Sequence, residues 1–168
     1  MNIRKEKDND KDKIWKVNAE AFETEAEANL VNALRDSGIP FISLVAEEDE
    51  VIVGHILFTP VKLMDDDSGL KLVGLAPMAV LSKHQKKGIG SQLVKTGIER
   101  CSAQGYDAVV VLGHPDYYPR FGFVSSVKYQ IKSEYDVPDE AFMVRELKEG
   151  SLKNKNGIIK YHAAFGSL

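Results

Sequence analysis

Apolar residues recur along this chain with two different spacings, and the change from one to the other marks out its elements. Between positions 10 and 36 they return every three or four residues. Ile14, Val17 and Ala21 form one stripe, and Ala26, Leu30, Val31 and Leu34 form a second. That period is the period of an α-helix with one buried face. The first stripe predicts a helix from the aspartates at 8–10, which can cap it, to about residue 22. The second predicts a helix over 24–36, ended by Gly38. "NIRKE" at 2–6 predicts a short strand before them. From 41 onward the apolar runs become dense and short. "FISLVAEE" and "VIVGHILFTPVKL" flank the polar pair Asp49 and Glu50 and predict a hairpin. "DDDSG" at 65–69 predicts a turn, and "LKLVGLAPMAVL" at 70–81 a buried strand. A third helix is predicted over 88–104, stopped by Gly105. "DAVVVLG" is uniformly apolar and predicts a central strand. "HPDYYPRFGF" predicts an irregular or briefly helical loop, and "AFMVREL" and "GIIKYHAAF" predict two last strands. The order predicts an α/β fold, a mixed sheet with helices on both faces.

Composition narrows the partners. The 168 residues suit a single domain spanning 1–168, and 43% apolar content is a globular value. A net charge of −3 gives no general attraction for nucleic acid or an anionic membrane, so any positive site is local. Cys101 is the sole cysteine, which excludes an intramolecular disulfide, and its place on the third helix marks it as a core residue. The N-terminal run lacks an apolar stretch of signal-peptide length, and no later run is long enough to span a bilayer. The expectation is a soluble, cytoplasmic protein. Asp8, Asp10 and Asp12 imitate the start of a calcium loop, but Lys13 and Ala19 stand where the glycine and the bidentate glutamate belong. His55, His84, His114 and His162 have no metal-ligand spacing. No metal is expected.

The chemistry concentrates in "LSKHQKKGIGSQLV" at 81–94. It lacks the Gly-Lys-Ser/Thr of a P-loop, and Leu93 stands where a dinucleotide fingerprint needs its third glycine. Gly88 and Gly90 nevertheless open a helix with bare backbone, where N–H groups and the helix dipole meet an anion directly. Lys86 and Lys87 add charge. The same residues also suit a tight turn with solvated lysines. Pro77 bears on that choice. It sits in an apolar strand, has no N–H to give to a ladder, and leaves the backbone of Met78, Ala79 and Val80 to pair with something else. An extended amide-containing arm joined to a diphosphate describes coenzyme A.

"LAPMAVLSKHQKKGIGSQLV" resembles the cofactor motif of the GCN5-related N-acetyltransferases, Q/R-x-x-G-x-G/A, with Gln85, Gly88 and Gly90 at the three fixed positions. "YYPRFGF" resembles the family's next motif, with Tyr118 four residues before Gly122 and Phe123. The run "VLGHPDYYPRFGF" is similar to the YhbS-like group. The resemblance implies a GNAT-type fold: a mixed, mostly antiparallel sheet with splayed central strands. It implies that acetyl-CoA is the co-substrate, its pyrophosphate on the amides of Lys86, Lys87, Gly88, Ile89, Gly90 and Ser91. Its pantetheine would pair with Met78 and Val80, and the thioester would lie between the two splayed strands. Direct attack by an amine, with no covalent enzyme intermediate, is implied too. Tyr118 would be the general acid, with Tyr117 as its rival; Pro119 predicts that the family's helix is short or deformed here. His114 stands where many members place a CoA-holding asparagine; cofactor contact, base and turn all remain open for it. Glu47, Glu48, His114 and Asp116 are candidate bases. The acceptor is an amine on a small molecule or peptide, with no nucleic acid or membrane partner; a homodimer is compatible. The competing expectation is a CoA-binding sensor module that has lost turnover.

Overall fold

The computed structural model describes all 168 residues. The chain divides into two compact units, residues 1–59, 76–99 and 163–168 in one and 60–75 and 100–162 in the other. The chain forms nine β-strands.

In the first unit β1 (Asn2–Lys5) pairs antiparallel with β2 (Ile42–Glu48), and β2 with β3 (Val51–Leu63). Asp49 and Glu50 join β2 to β3 with φ of 48° and 67°. Two consecutive left-handed residues give a turn whose twist matches that of the strands it joins. Alternation along β3 assigns its faces. Gly54 and Phe58 lie beneath α3 (Ile89–Ala103): a Cβ on Gly54 would sit 3.1 Å from Leu93, and one on Gly97 would sit 2.3 Å from the Phe58 ring. His55 and Leu57 face the other way, toward α1 (Lys11–Ala21) and α2 (Ala26–Asp36). Helices therefore cover both faces of this strand. Ile14 and Val17 are buried as the stripe predicts, but the next buried position is Asn18, not Ala21. On α2 it is Ala28, with Leu30, Val31 and Leu34, that is buried; Ala26 is half-buried.

Asn18 is buried with partners for its amide nitrogen. Its Nδ2 donates to the Ile14 carbonyl at 3.0 Å and lies 3.1 Å from His55 Nδ1. That makes Nδ1 the acceptor and leaves the His55 proton on Nε2, which donates to Ser43 Oγ at 2.9 Å. His55 is fully buried, and desolvation, with a smaller push from the Arg35 charge, lowers its pKa to about 3. At the sheet edge Arg4 bridges Asp10 at 2.7 Å and Glu47 at 3.0 Å. The Arg4 hydrogen bond holds the Asp10 carboxyl below the usual carboxylate range.

In the second unit the start of β4 (Leu72–Val80) pairs parallel with β5 (Ala108–Leu112), from Leu72 opposite Ala108 to Leu75 opposite Val111. The pairing ends there although β4 runs on to Val80, and Pro77 brings no N–H to a ladder. β5 pairs antiparallel with β8 (Phe142–Glu146), which also carries β6 (Val124–Ser125). β7 (Ile131–Ser133) and β9 (Gly157–Lys160) run parallel. β6 and β7 escape the sequence reading because two or three residues cannot display a period. "GIIKYHAAF" forms a strand only in its first four residues; 163–167 make a 3-10 turn. Cys101 is fully buried, and burial pushes its thiol up to about 12, as suits a core residue. No helix is long and apolar enough to cross a membrane.

Candidate active site

The loop between β4 and α3 is braced at three points. A 3-10 turn at Ser82–His84 leads from the strand, and His84 Nδ1 lies 3.1 Å from Glu48 Oε2 on β2. Gln85 folds back, its Nε2 donating to the Val80 carbonyl at 2.9 Å. Ile89 is buried against Gly54. Between these anchors the backbone reverses through left-handed residues, Lys86 at φ 63° and Gly88 at φ 84°. Gly88 is exposed, with nothing within 4 Å of where a Cβ would be. Glycine is therefore required there by backbone angle, not by crowding.

The electrostatics follow from that backbone. α3 carries no acidic residue in its first turn, so nothing of its own neutralises the positive end of its dipole. Lys86 and Lys87 are exposed beside it. Bare amides, a helix N-terminus and two ammonium groups make an anion-binding surface. Met78, Ala79, Val80, Gln85, Lys86, Lys87, Gly88, Ile89, Gly90 and Ser91 all fall within this one stretch of the first unit. Gln85 differs from the rest: its side chain braces the strand end.

His114 and Tyr118 lie together in the second unit. The His114 carbonyl accepts the N–H groups of Tyr117 at 3.1 Å and Tyr118 at 3.4 Å, opening a turn that continues as a 3-10 helix over Tyr118–Phe121. Pro119 occupies its first turn, where no N–H is missed. The expected family helix is reduced to this single turn. Arg145 Nη1 donates to the Phe121 carbonyl at 2.8 Å and ties the turn to β8. Tyr118 is 8% exposed, edge-on to Tyr117 at 5.1 Å and to Phe123 at 5.7 Å. Desolvation, with a contribution from Tyr117, pushes its hydroxyl up to about 12. Tyr117 is half-buried beneath the Arg120 guanidinium, 4.7 Å from the ring centre.

Glu47 is engaged by Arg4 and Glu48 by His84, while Asp116 and the His114 side chain are exposed. The Glu48–His84 brace joins residues 36 apart, and no local pattern announces it.

A braced, glycine-opened helix start after a strand that outruns its ladder belongs to a known class of enzyme. The chain is a member of the GNAT family of acetyltransferases: residues 2–125 match the acetyltransferase (GNAT) domain. Among its relatives, the uncharacterized N-acetyltransferase YhbS of Escherichia coli (strain K12) is 38% identical over 146 residues, 86% of each chain. YjhQ of the same organism, also described as an N-acetyltransferase, is 40% identical over 131 residues, 76% of this chain and 72% of that one. The structure of Escherichia coli YhbS in complex with CoA superposes with a TM-score of 0.93 at 36% identity, covering 98% of this chain and 91% of that one. A Brucella melitensis GNAT acetyltransferase in complex with acetyl-CoA superposes at 0.80 and 32% identity, covering 98% and 97%.

Proposed function

We propose that this acetyltransferase takes its acetyl group from acetyl-CoA and passes it directly to a primary amine, all 168 residues serving as one domain. The observation that carries the reading is the start of α3: left-handed Gly88, a first turn without acid, and Lys86 and Lys87 alongside. The complexes of the Escherichia coli and Brucella melitensis relatives with CoA and acetyl-CoA support the choice of donor. The amides of the 86–91 loop receive the pyrophosphate, and the backbone of Met78 and Val80 receives the pantetheine. Gln85 takes one acceptor position of the Val80 carbonyl.

The acceptor nitrogen attacks the thioester carbonyl, a C–N bond forms, the C–S bond breaks, and the electron pair leaves on sulfur. The nitrogen gives up its proton to a base, and the thiolate gains one. Tyr118 is the donor to that thiolate in this reading. A phenol near 12 keeps its proton at neutral pH, and a thiolate whose conjugate acid lies near 8.5 is too weak a base to take it outright. Tyr118 thus acts by donating a hydrogen bond to the developing charge, and the departing thiolate takes its proton from solvent. His114 holds the turn through its carbonyl, so its Tyr118-positioning role is in the main chain.

The test is release of free thiol from acetyl-CoA, followed with a thiol reagent, across a panel of primary amines. The proposal expects amine-dependent release and an acetylated product by mass. CoA binding without release from any amine would identify a sensor module instead, and absence of CoA binding would overturn both.

A further inference from the structure

We infer that Gly113 is a positioning residue for the reaction: its missing side chain sets where the Tyr118 ring, and so its hydroxyl, points. The inference rests on the reading of Tyr118 as the donor to the leaving thiolate. Gly113 follows β5 directly, and its N–H donates to the Ala141 carbonyl at 2.9 Å, which pins the backbone. A Cβ there would lie 2.4 Å from Cε2 of Tyr118, 3.0 Å from Cδ2 and 3.4 Å from Cζ. The ring thus fills the space that any other residue would claim. Gly113 is not among the glycines with a left-handed φ, so its backbone angles are open to other residues. The requirement is for room alone.

The remaining walls leave the ring little freedom. Phe123 stands edge-on at 5.7 Å and Tyr117 at 5.1 Å, and Phe121 is tilted at 6.4 Å. Arg145 fixes the far end of the turn through the Phe121 carbonyl. With backbone held on both sides, the part that yields to a methyl group at 113 is the ring. Ordinary contact begins at 3.4 Å, so Cε2 must retreat by about 1 Å. Cε2 adjoins the carbon that bears the hydroxyl. A displacement of about 1 Å at a reacting group can cost on the order of 100-fold in rate.

The experiment compares wild type, Gly113→Ala, Tyr118→Phe and the double variant, with acetyl-CoA and the best amine of the panel, alongside CoA affinity by calorimetry. Gly113→Ala is expected to lower kcat by about 10- to 100-fold and to leave the Kd for CoA within about twofold. In the Tyr118→Phe background the same change is expected to cost nothing further, since there is no hydroxyl to misdirect. The Gly113→Ala defect is also expected to shrink with acetyl thioesters of more acidic thiols, which need less help to leave. Losses that multiply in the double variant, or full kcat in Gly113→Ala, would overturn the inference. Full kcat in Tyr118→Phe would instead remove the reading beneath it. If Gly113→Ala does not fold, Phe123→Leu loosens another wall around the ring, and the same dependence on the Tyr118 hydroxyl is expected of it.

Discussion

Two aromatic side chains with displaced proton affinities give this protein its sharpest residue-level behaviour. Tyr118→Phe keeps the ring and removes only the hydroxyl. We expect kcat to fall by about 10- to 1,000-fold while CoA affinity stays unchanged, measured by steady-state kinetics and calorimetry. Because burial holds the hydroxyl near 12, the wild-type rate should show no alkaline limb from Tyr118 up to about pH 10. His55 governs stability instead. Its folded pKa of about 3 lies below the ordinary value of 6.5, so the folded state resists a proton that the unfolded state takes up. Above 6.5 neither state is protonated there, and the group contributes no pH dependence. As pH falls from 6.5 toward 3, stability is lost, with a limiting slope of about 1.4 kcal/mol per pH unit. Denaturant melts between pH 7 and 4.5 should show that decline, above the range where most carboxylates titrate. His55→Gln, which can still accept from Asn18 and donate to Ser43, should flatten it; an unchanged slope would remove His55 from the account.

Among the elements, α3 joins packing to binding. Its middle lies against Phe58 across bare Gly97, and its start presents the anion-binding surface. Gly97→Val should therefore destabilise the protein by about 1–3 kcal/mol through overpacking without altering CoA affinity relative to the folded fraction. Lys86→Ala together with Lys87→Ala should do the opposite. Stability should hold, CoA binding should weaken by roughly 2- to 10-fold, and the salt dependence of binding should lessen. Legibility in the sequence also varied by element. The hairpin at 49–50, the third helix and the central strand were readable because each displays a period or a turn signal within a few residues. The Gln85 signature was readable as a motif, yet its side chain braces Val80, which the motif does not disclose. β6 and β7 were too short to carry a period. Asn18 interrupts an apolar stripe, and only the presence of His55 opposite it explains why a polar residue is buried there. Long-range pairs of that kind, like Glu48 with His84, leave no local trace.

At the scale of the whole molecule, the proposed polyanionic ligand would meet a slightly acidic chain at one local positive surface. Net charge is −3, so attraction comes from the α3 start and not from the surface at large. A ligand held there stabilises the folded state by mass action. At about 100 times its Kd, acetyl-CoA should add about 2.7 kcal/mol, or roughly 5–10 °C in Tm for a chain of this size. ATP lacks the pantetheine arm and should add less. The most direct test of the central claim is titration calorimetry with acetyl-CoA on wild type and on Gly88→Val/Gly90→Val, with helix content checked by circular dichroism. Wild type should show saturable one-to-one uptake, and the folded variant at least about a tenfold loss. No heat from wild type, or equal affinity in a variant whose helices are intact, would contradict it.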